Sequence, residues 1–134
     1  MSIALRPAVD DDLAILDLIY TQNMRNHVEK NYRWNAELFK DNFVFDDYTV
    51  LQNQQEIVGF LKVTSQNNSL YLSELQIKSA YQNRGIGTKL LQDIIARNQS
   101  QHQRIWLRGL KGNPAIKLYQ RANFEVFAET KTHY

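Results

Sequence analysis

Cysteine is missing from the chain altogether. That one absence excludes a disulfide framework, a cysteine-built zinc site and a thiol nucleophile. It also fits a reducing compartment. Proline and glycine are scarce, two and five residues, and no Gly/Ser/Pro-rich linker, internal repeat or low-complexity tract breaks the chain. The expectation is one domain spanning residues 1–134. No apolar run approaches the ~18 residues that a membrane span needs. The opening MSIALRPAVDDD has no basic region followed by an apolar stretch, so no secretory signal is read; a cytoplasmic protein without a membrane partner is expected. Only three histidines occur, His27, His102 and His133. They lie far apart, with no pair at i,i+4, and no metal is expected.

Net charge is low as well, +2, too little to argue for nucleic acid. Its distribution is uneven. Residues 1–60 hold 10 acidic and 5 basic side chains, and residues 61–134 hold 4 acidic and 11 basic. This asymmetry suits a protein that holds a polyanion with its second half and a cation with its first. Plain scatter of solvated charges is the alternative. The basic residues fall on several elements without interleaved aromatics, so no nucleic-acid partner is expected.

What is present is hydrophobic periodicity. Ile3–Arg6 reads as a strand stopped by Pro7. Asp10 is placed to cap a helix striped by Leu13, Leu16, Ile19 and Tyr20. Asn35 is placed to cap a second, with Leu38, Phe39 and Phe43 on one face. Tyr48–Gln52, Ile57–Thr64 and Leu70–Ile77 read as strands joined by polar turns. Ile86, Leu90, Leu91, Ile94 and Ile95 stripe a strong helix ending near Asn98. Arg104–Leu107 is a strand, Pro114–Ala122 a helix with proline in its first turn, and Phe124–Glu129 a closing strand. The order predicts an α/β fold of the mixed α+β kind: a mostly antiparallel sheet flanked by about four helices, parallel where a helix crosses over.

The most informative stretch is Gln82-Asn83-Arg84-Gly85-Ile86-Gly87-Thr88, where a strand runs through a loop into a helix. The first N–H groups of a helix lack partners within it and sit at its positive end, which suits a phosphate. Gly85 and Gly87 let a pyrophosphate approach the backbone. Arg84 adds mobile positive charge, as does Lys89, and Thr88 offers a hydroxyl. The third glycine of the dinucleotide fingerprint is replaced by Leu90, and the Walker pattern is absent.

Gln82-Asn83-Arg84-Gly85-Ile86-Gly87 resembles the Q/R-x-x-G-x-G/A signature of the GNAT superfamily of acetyl-CoA-dependent N-acetyltransferases. Asn113-Pro114-Ala115-Ile116-Lys117-Leu118-Tyr119-Gln120-Arg121-Ala122-Asn123-Phe124 resembles its second motif, at the family's usual separation. Two departures stand out. Asn123 replaces the usual glycine, and Asn113 lies one residue nearer Tyr119 than in many members. The resemblance implies a GNAT-like fold whose sheet splays after Glu74–Ile77. It implies pantetheine bonded along the Leu75-Gln76-Ile77 backbone, through Leu75 and Ile77, with the Ile77 N–H polarising the thioester carbonyl. The pyrophosphate would lie on Asn83–Thr88, with Gln82 and Asn113 also toward the cofactor.

For chemistry, the resemblance gives Tyr119 the role of protonating the departing sulfur; the plain alternative is a core aromatic beside Leu118. Glu74 shares a strand face with Leu72 and Gln76 and is the candidate base, its alternative a solvated or ion-paired glutamate. Without cysteine an acyl-cysteine route is impossible, so direct attack by a small-molecule or protein amine in a ternary complex is expected. A non-catalytic acyl-CoA-binding or regulatory module of the same fold is the rival reading. In the family, the segment matching Tyr20–Trp34 covers the acceptor. His27, Glu29, Tyr32 and Trp34 are therefore candidates to surround a cationic amine, Trp34 with its π face and Glu29 with counter-charge. Trp34 and Phe39 equally suit core packing, and His27 an ordinary surface site. His133 and Tyr134 are near enough to the end to reach the same cleft, and a homodimer paired through terminal strands is possible in this fold.

Overall fold

The computed structural model describes residues 2–99 and 104–134; His102 lies outside the described residues. Five strands form one sheet in the order β1-β2-β3-β4-β5: β1 (Ile3–Pro7), β2 (Tyr48–Asn53), β3 (Glu56–Gln66), β4 (Ser69–Ile77) and β5 (Arg104–Leu107). Polar turns Gln54-Gln55 and Asn67-Asn68 close the two hairpins, with Gln54, Asn67 and Asn68 at positive φ. The first four strands pair antiparallel. β4 and β5 pair parallel, because the helix α3 (Ile86–Gln99) carries the chain back across the sheet between them.

Alternation along β2 sends Val50 to one face and Leu51 to the other, both fully buried. On the first face lie α1 (Leu13–Val28) and the short α2 (Leu38–Asp41), whose Leu16, Ile19 and Phe39 pack on Tyr48, Val50 and Phe60. On the second, α3 and α4 (Ala115–Arg121) cover Leu51, Leu61, Leu72 and Leu75. The stripe expected on α3 is the packed one: Leu90 and Leu91 are buried, and Ile86, Ile94 and Ile95 lie against them.

Three expectations need correction. Asp10 does not cap α1. The carboxylate of Asp12 accepts the Val9 N–H at 2.9 Å, and it is fixed there by Arg6 through two bonds of 2.8 Å. Asp12 thereby closes the turn Asp10–Asp12 that leads into α1, and no side chain among the described residues caps α1 itself. Leu38 points away from the core and is exposed, while Phe39 is buried, because a helix of four residues presents too little face for both. Phe124–Glu129 forms no strand. A strand exists only where an edge takes its backbone groups, and these residues meet none; Val126 and Phe127 are 59% and 81% exposed. Instead the last residues turn back on the segment after β5. Gly109 and Tyr134 exchange two backbone bonds, 3.3 and 2.9 Å, and Lys111 N–H donates to Thr132 at 2.8 Å.

Candidate active site

Ladder pairing between β4 and β5 ends at Leu72–Leu107, and beyond it the two strands part. A bulge at Ser73 interrupts the β3–β4 register at the same level, re-aiming the side chains that follow. Lys78 N–H donates to Val58 on β3 at 2.8 Å. By antiparallel alternation Gln76 also faces β3, while Leu75 and Ile77 turn their polar backbone groups to the open edge. Gly59 permits this close pairing: a Cβ there would collide with the Gln76 carbonyl. The result is a cleft of about 640 Å³ reaching from the start of α3 to α1 and the C-terminal segment.

One end of the cleft is built from backbone. The first bond of α3 runs from Lys89 N–H to the Gly85 carbonyl, 3.0 Å. The N–H groups of Asn83, Arg84, Gly85, Ile86, Gly87 and Thr88 have no acceptor among the described residues. Asn83 and Gly85 take φ of 61° and 81°, the left-handed region that lets successive N–H groups converge into an anion nest. A side chain at Gly85 would meet open space, whereas at Gly87 it would press on Leu118 at 2.9 Å and Ile77 at 3.3 Å. Gly85 therefore serves the turn, and Gly87 serves the close approach of α3 to α4. Asn123 takes φ 70°, so asparagine fills a left-handed position after α4 that otherwise suits glycine.

The other end is polar and aromatic. Glu74 lies among Tyr20 of α1, Tyr71 of β4 and Tyr119 of α4, all lining the cleft, with Tyr48 of β2 near by. Burial pushes its carboxyl up to about 7, against a hydrogen bond from Gln76 and the nearby Lys62, which lower it. Gln76 Nε2 donates to Glu74 Oε2 at 3.1 Å. Gln76 Oε1 accepts from Asn23 at 3.1 Å, and the same Asn23 amide reaches the Ile77 carbonyl at 2.9 Å. Tyr119 is pushed up to about 12, first by burial and then by the charges of Glu74 and Tyr71. Its phenol thus keeps its proton through the neutral range. Two buried side-chain atoms, His27 Nδ1 and Ser73 Oγ, have no hydrogen-bond partner among the described residues, and both residues line the cleft.

The expected site residues separate into those the fold assembles here and those it does not. Glu74, Leu75, Gln76, Ile77, Gln82, Asn83, Gly85, Ile86, Gly87, Thr88, Asn113, Tyr119, His27, Tyr32 and His133 line the cleft. Gln82 spends its polar groups internally, its N–H on Ser79 at 3.2 Å and its side chain on the Ile77 carbonyl at 2.8 Å. Asn113 caps α4 through the Ala115 N–H, 2.9 Å, and contacts Met24 Sδ at 3.6 Å. Arg84 lies outside, its guanidinium over the Tyr81 ring at 5.2 Å. Glu29 also lies outside, paired with Arg25 one helical turn earlier at 3.1 Å. Trp34 stacks on Tyr20 at 5.8 Å, behind the cleft wall. Tyr32 bonds Thr132 at 2.9 Å, and Thr132 bonds His133 Nδ1 at 2.8 Å; this chain ties the segment after α1 to the C-terminal residues. Tyr71, Ser73 and Arg108 were not expected here, and Tyr20 and Asn23 were not singled out within the segment expected to cover the acceptor. Period-two spacing from Glu74 signals only Tyr71, once the bulge is known; the others become neighbours through packing alone.

Among the described residues no helix is long and apolar enough to cross a membrane, and no group of three acidic or histidine side chains is placed to hold a metal. The family model for an acetyltransferase (GNAT) domain matches residues 44–126. The spermine/spermidine N(1)-acetyltransferase of Bacillus subtilis is 29% identical, over 96% of this chain and 91% of that protein. The PaiA N-acetyltransferase of Thermoplasma acidophilum, solved in complex with coenzyme A, superposes with a TM-score of 0.81 at 17% identity, over 99% of this chain and 96% of the other. The Arabidopsis thaliana NAA60 structure in complex with acetyl-CoA gives 0.64 at 20% identity, over 92% and 87%. With the domain model covering well over half of the chain, together with the splayed sheet and the open turn before α3, this protein belongs to the GNAT acetyltransferase family.

Proposed function

We propose that this protein transfers the acetyl group of acetyl-CoA to a primary amine by direct attack in a ternary complex, residues 1–134 acting as one catalytic domain. The observation that carries the reading is the meeting, in one cleft, of an unpaired backbone nest, an open β4 edge and the Glu74–Tyr119 pair. The nest fits a diphosphate: six successive N–H groups have no acceptor among the described residues, and they precede the first bonded turn of α3. The Leu75 and Ile77 backbone fits a pantetheine strand. The Ile77 carbonyl already accepts from Asn23 and Gln82, so Ile77 offers its N–H, the donor suited to a thioester oxygen. The co-substrate brings the activated acyl group; the chain supplies the rest.

Glu74, as carboxylate, takes the proton that the amine nitrogen releases as it bonds to the acyl carbon. Its negative charge then disappears, and with it one of the influences holding the Tyr119 proton. Tyr119 donates to the sulfur as the C–S bond breaks and regains a proton from solvent, while Glu74 returns its own. The products are an amide and a free thiol. Thiol release in the presence of acetyl-CoA and a panel of amines tests the reading. Coenzyme A binding without thiol release would favour the non-catalytic alternative.

Two further outcomes are expected. Gly85→Ala and Gly87→Val should each weaken coenzyme A binding at least about tenfold, or about 1.4 kcal/mol. At Gly85 the cause is backbone strain of about 1–2 kcal/mol; at Gly87 it is displacement of α3 by Leu118. Titration calorimetry with unchanged affinity in both variants would remove the phosphate turn. Gln76→Leu should raise the midpoint of the acid limb of kcat/KM by about one pH unit, because a bond to the charged form of Glu74 is lost. Asn23→Ala should move it less and in the same direction. An unmoved midpoint in both would reduce the amide pair to a packing role.

A further inference from the structure

The acidic first half of the chain suggests a cationic acceptor, but the fold does not deliver that charge to the cleft. Asp12 is held by Arg6, Asp17 by Lys40, Glu29 by Arg25 and Glu56 by Lys78. Among the described residues Glu74 is the one acidic side chain lining the cleft, and Lys62 stands opposite it in register on β3. An acceptor with several ammonium groups would find no row of carboxylates here.

The cleft is instead lined by two arginines that make no ion pair among the described residues, Arg121 at the end of α4 and Arg108 just after β5, and the second stands on the face of the stacked rings. β5 pairs Trp106 with Tyr71, and their rings stack at 4.0 Å. Two residues on, where β5 has parted from β4, alternation brings Arg108 to the same face. Arg108 is exposed, lines the cleft and makes no ion pair among the described residues. It is close enough to Tyr71 and His133 to oppose the rise of the one and deepen the fall of the other. His133, held below its ordinary value by burial and then by Arg108, adds no competing positive charge at neutral pH. A planar guanidinium with its donors free matches a carboxylate.

We infer that the acceptor is an amine bearing a carboxylate, an amino-acid-like molecule whose acid docks on Arg108 while its nitrogen meets Glu74. This rests on the acetyl-transfer reading above and narrows its substrate class. It also sets the chain apart from its polyamine-acetylating relative: the carboxylate binds and orients, and a second ammonium would sit against Arg108 unpaired.

The test compares kcat/KM, from thiol release with acetyl-CoA, for matched pairs. The linear amino acids from glycine upward and the common α-amino acids are each set against their own amide, with spermidine alongside. At least one acid should exceed its amide by about tenfold or more. Arg108→Gln should bring that ratio close to unity, mostly through KM, and Arg108→Lys should restore part of it. Arg108 is exposed, so neither variant threatens the fold. Spermidine outrunning every acid, acid-to-amide ratios near unity throughout, or a ratio unchanged by Arg108→Gln would each overturn the inference while leaving the acetyltransferase reading intact. No thiol release with any amine would instead defeat the reading on which it stands.

Discussion

Glu74→Gln should lower kcat by about 10²–10³-fold, the range expected for loss of a positioned general base, and leave coenzyme A affinity nearly unchanged. The pH profile carries the sharper signature. With the Glu74 carboxyl near 7, kcat/KM of the native protein should rise through neutral pH and level off as the carboxylate forms. The variant should lack that limb. Every charged or titratable group around Glu74 enters this balance: Tyr20 from α1, Tyr48 from β2, Lys62 from β3, Tyr71 from β4 and Tyr119 from α4. All four phenols are themselves pushed upward, so they stay neutral, and Lys62 is the charge that lowers the Glu74 carboxyl.

The same burial has a stability consequence of opposite sign. A carboxyl raised from 4.5 to about 7 binds more protons in the folded chain than in the unfolded one between those values. Stability therefore falls as pH rises through that window, by up to about 3 kcal/mol. Glu74→Gln escapes this loss. Above pH 7 it should melt higher than the native protein while turning over far more slowly, a trade expected where a site carries strain for chemistry. A variant equally active, or one less stable at pH 8 than the native chain, would contradict a buried base.

Tyr119→Phe is the second large effect expected: about 10–100-fold in kcat, with the KM for acetyl-CoA nearly constant. A phenol near 12 is a reluctant acid toward a thiolate near ~8.5, so its help comes late, after Glu74 has been neutralised by the amine proton. The loss should therefore grow with acyl donors whose thiols leave poorly and shrink with activated thioesters. Loss of the ring would confuse the outcome, because Tyr119 packs edge-on against Phe124 at 6.4 Å; phenylalanine keeps that contact. Equal rates for both side chains across the donor series would take the hydroxyl out of the mechanism.

Much of this protein is legible in its sequence because it depends on local rules. The stripe on α3, the polar turns between β2, β3 and β4, proline opening α4 and the Gly85–Gly87 turn are matters of period, conformational freedom and unpaired N–H groups. Neighbours along the chain decide them. For that reason the family signature and the strand carrying Glu74 could be placed before any coordinates. The last turn of α1 and the segment after it were less tractable. His27, Glu29, Tyr32 and Trp34 look alike as candidates, yet only His27 and Tyr32 line the cleft. Which side of a helix end faces a cavity depends on what packs against it.

Tertiary structure alone decided the rest. It gave Glu74 its basicity, since burial raises the carboxyl to about 7 beside Tyr20, Tyr48, Tyr71 and Tyr119, which four separate elements bring together. It denied Phe124–Glu129 a ladder and gave Gly109–Lys111 to the last residues instead, because a strand needs an edge as well as a pattern. It also paired four acids of the first half with nearby bases and left Arg108 without an ion pair among the described residues, at the parting of β4 and β5. Charge counted along a chain shows how much there is; only the fold determines which charges neutralise one another and which remain to meet a substrate.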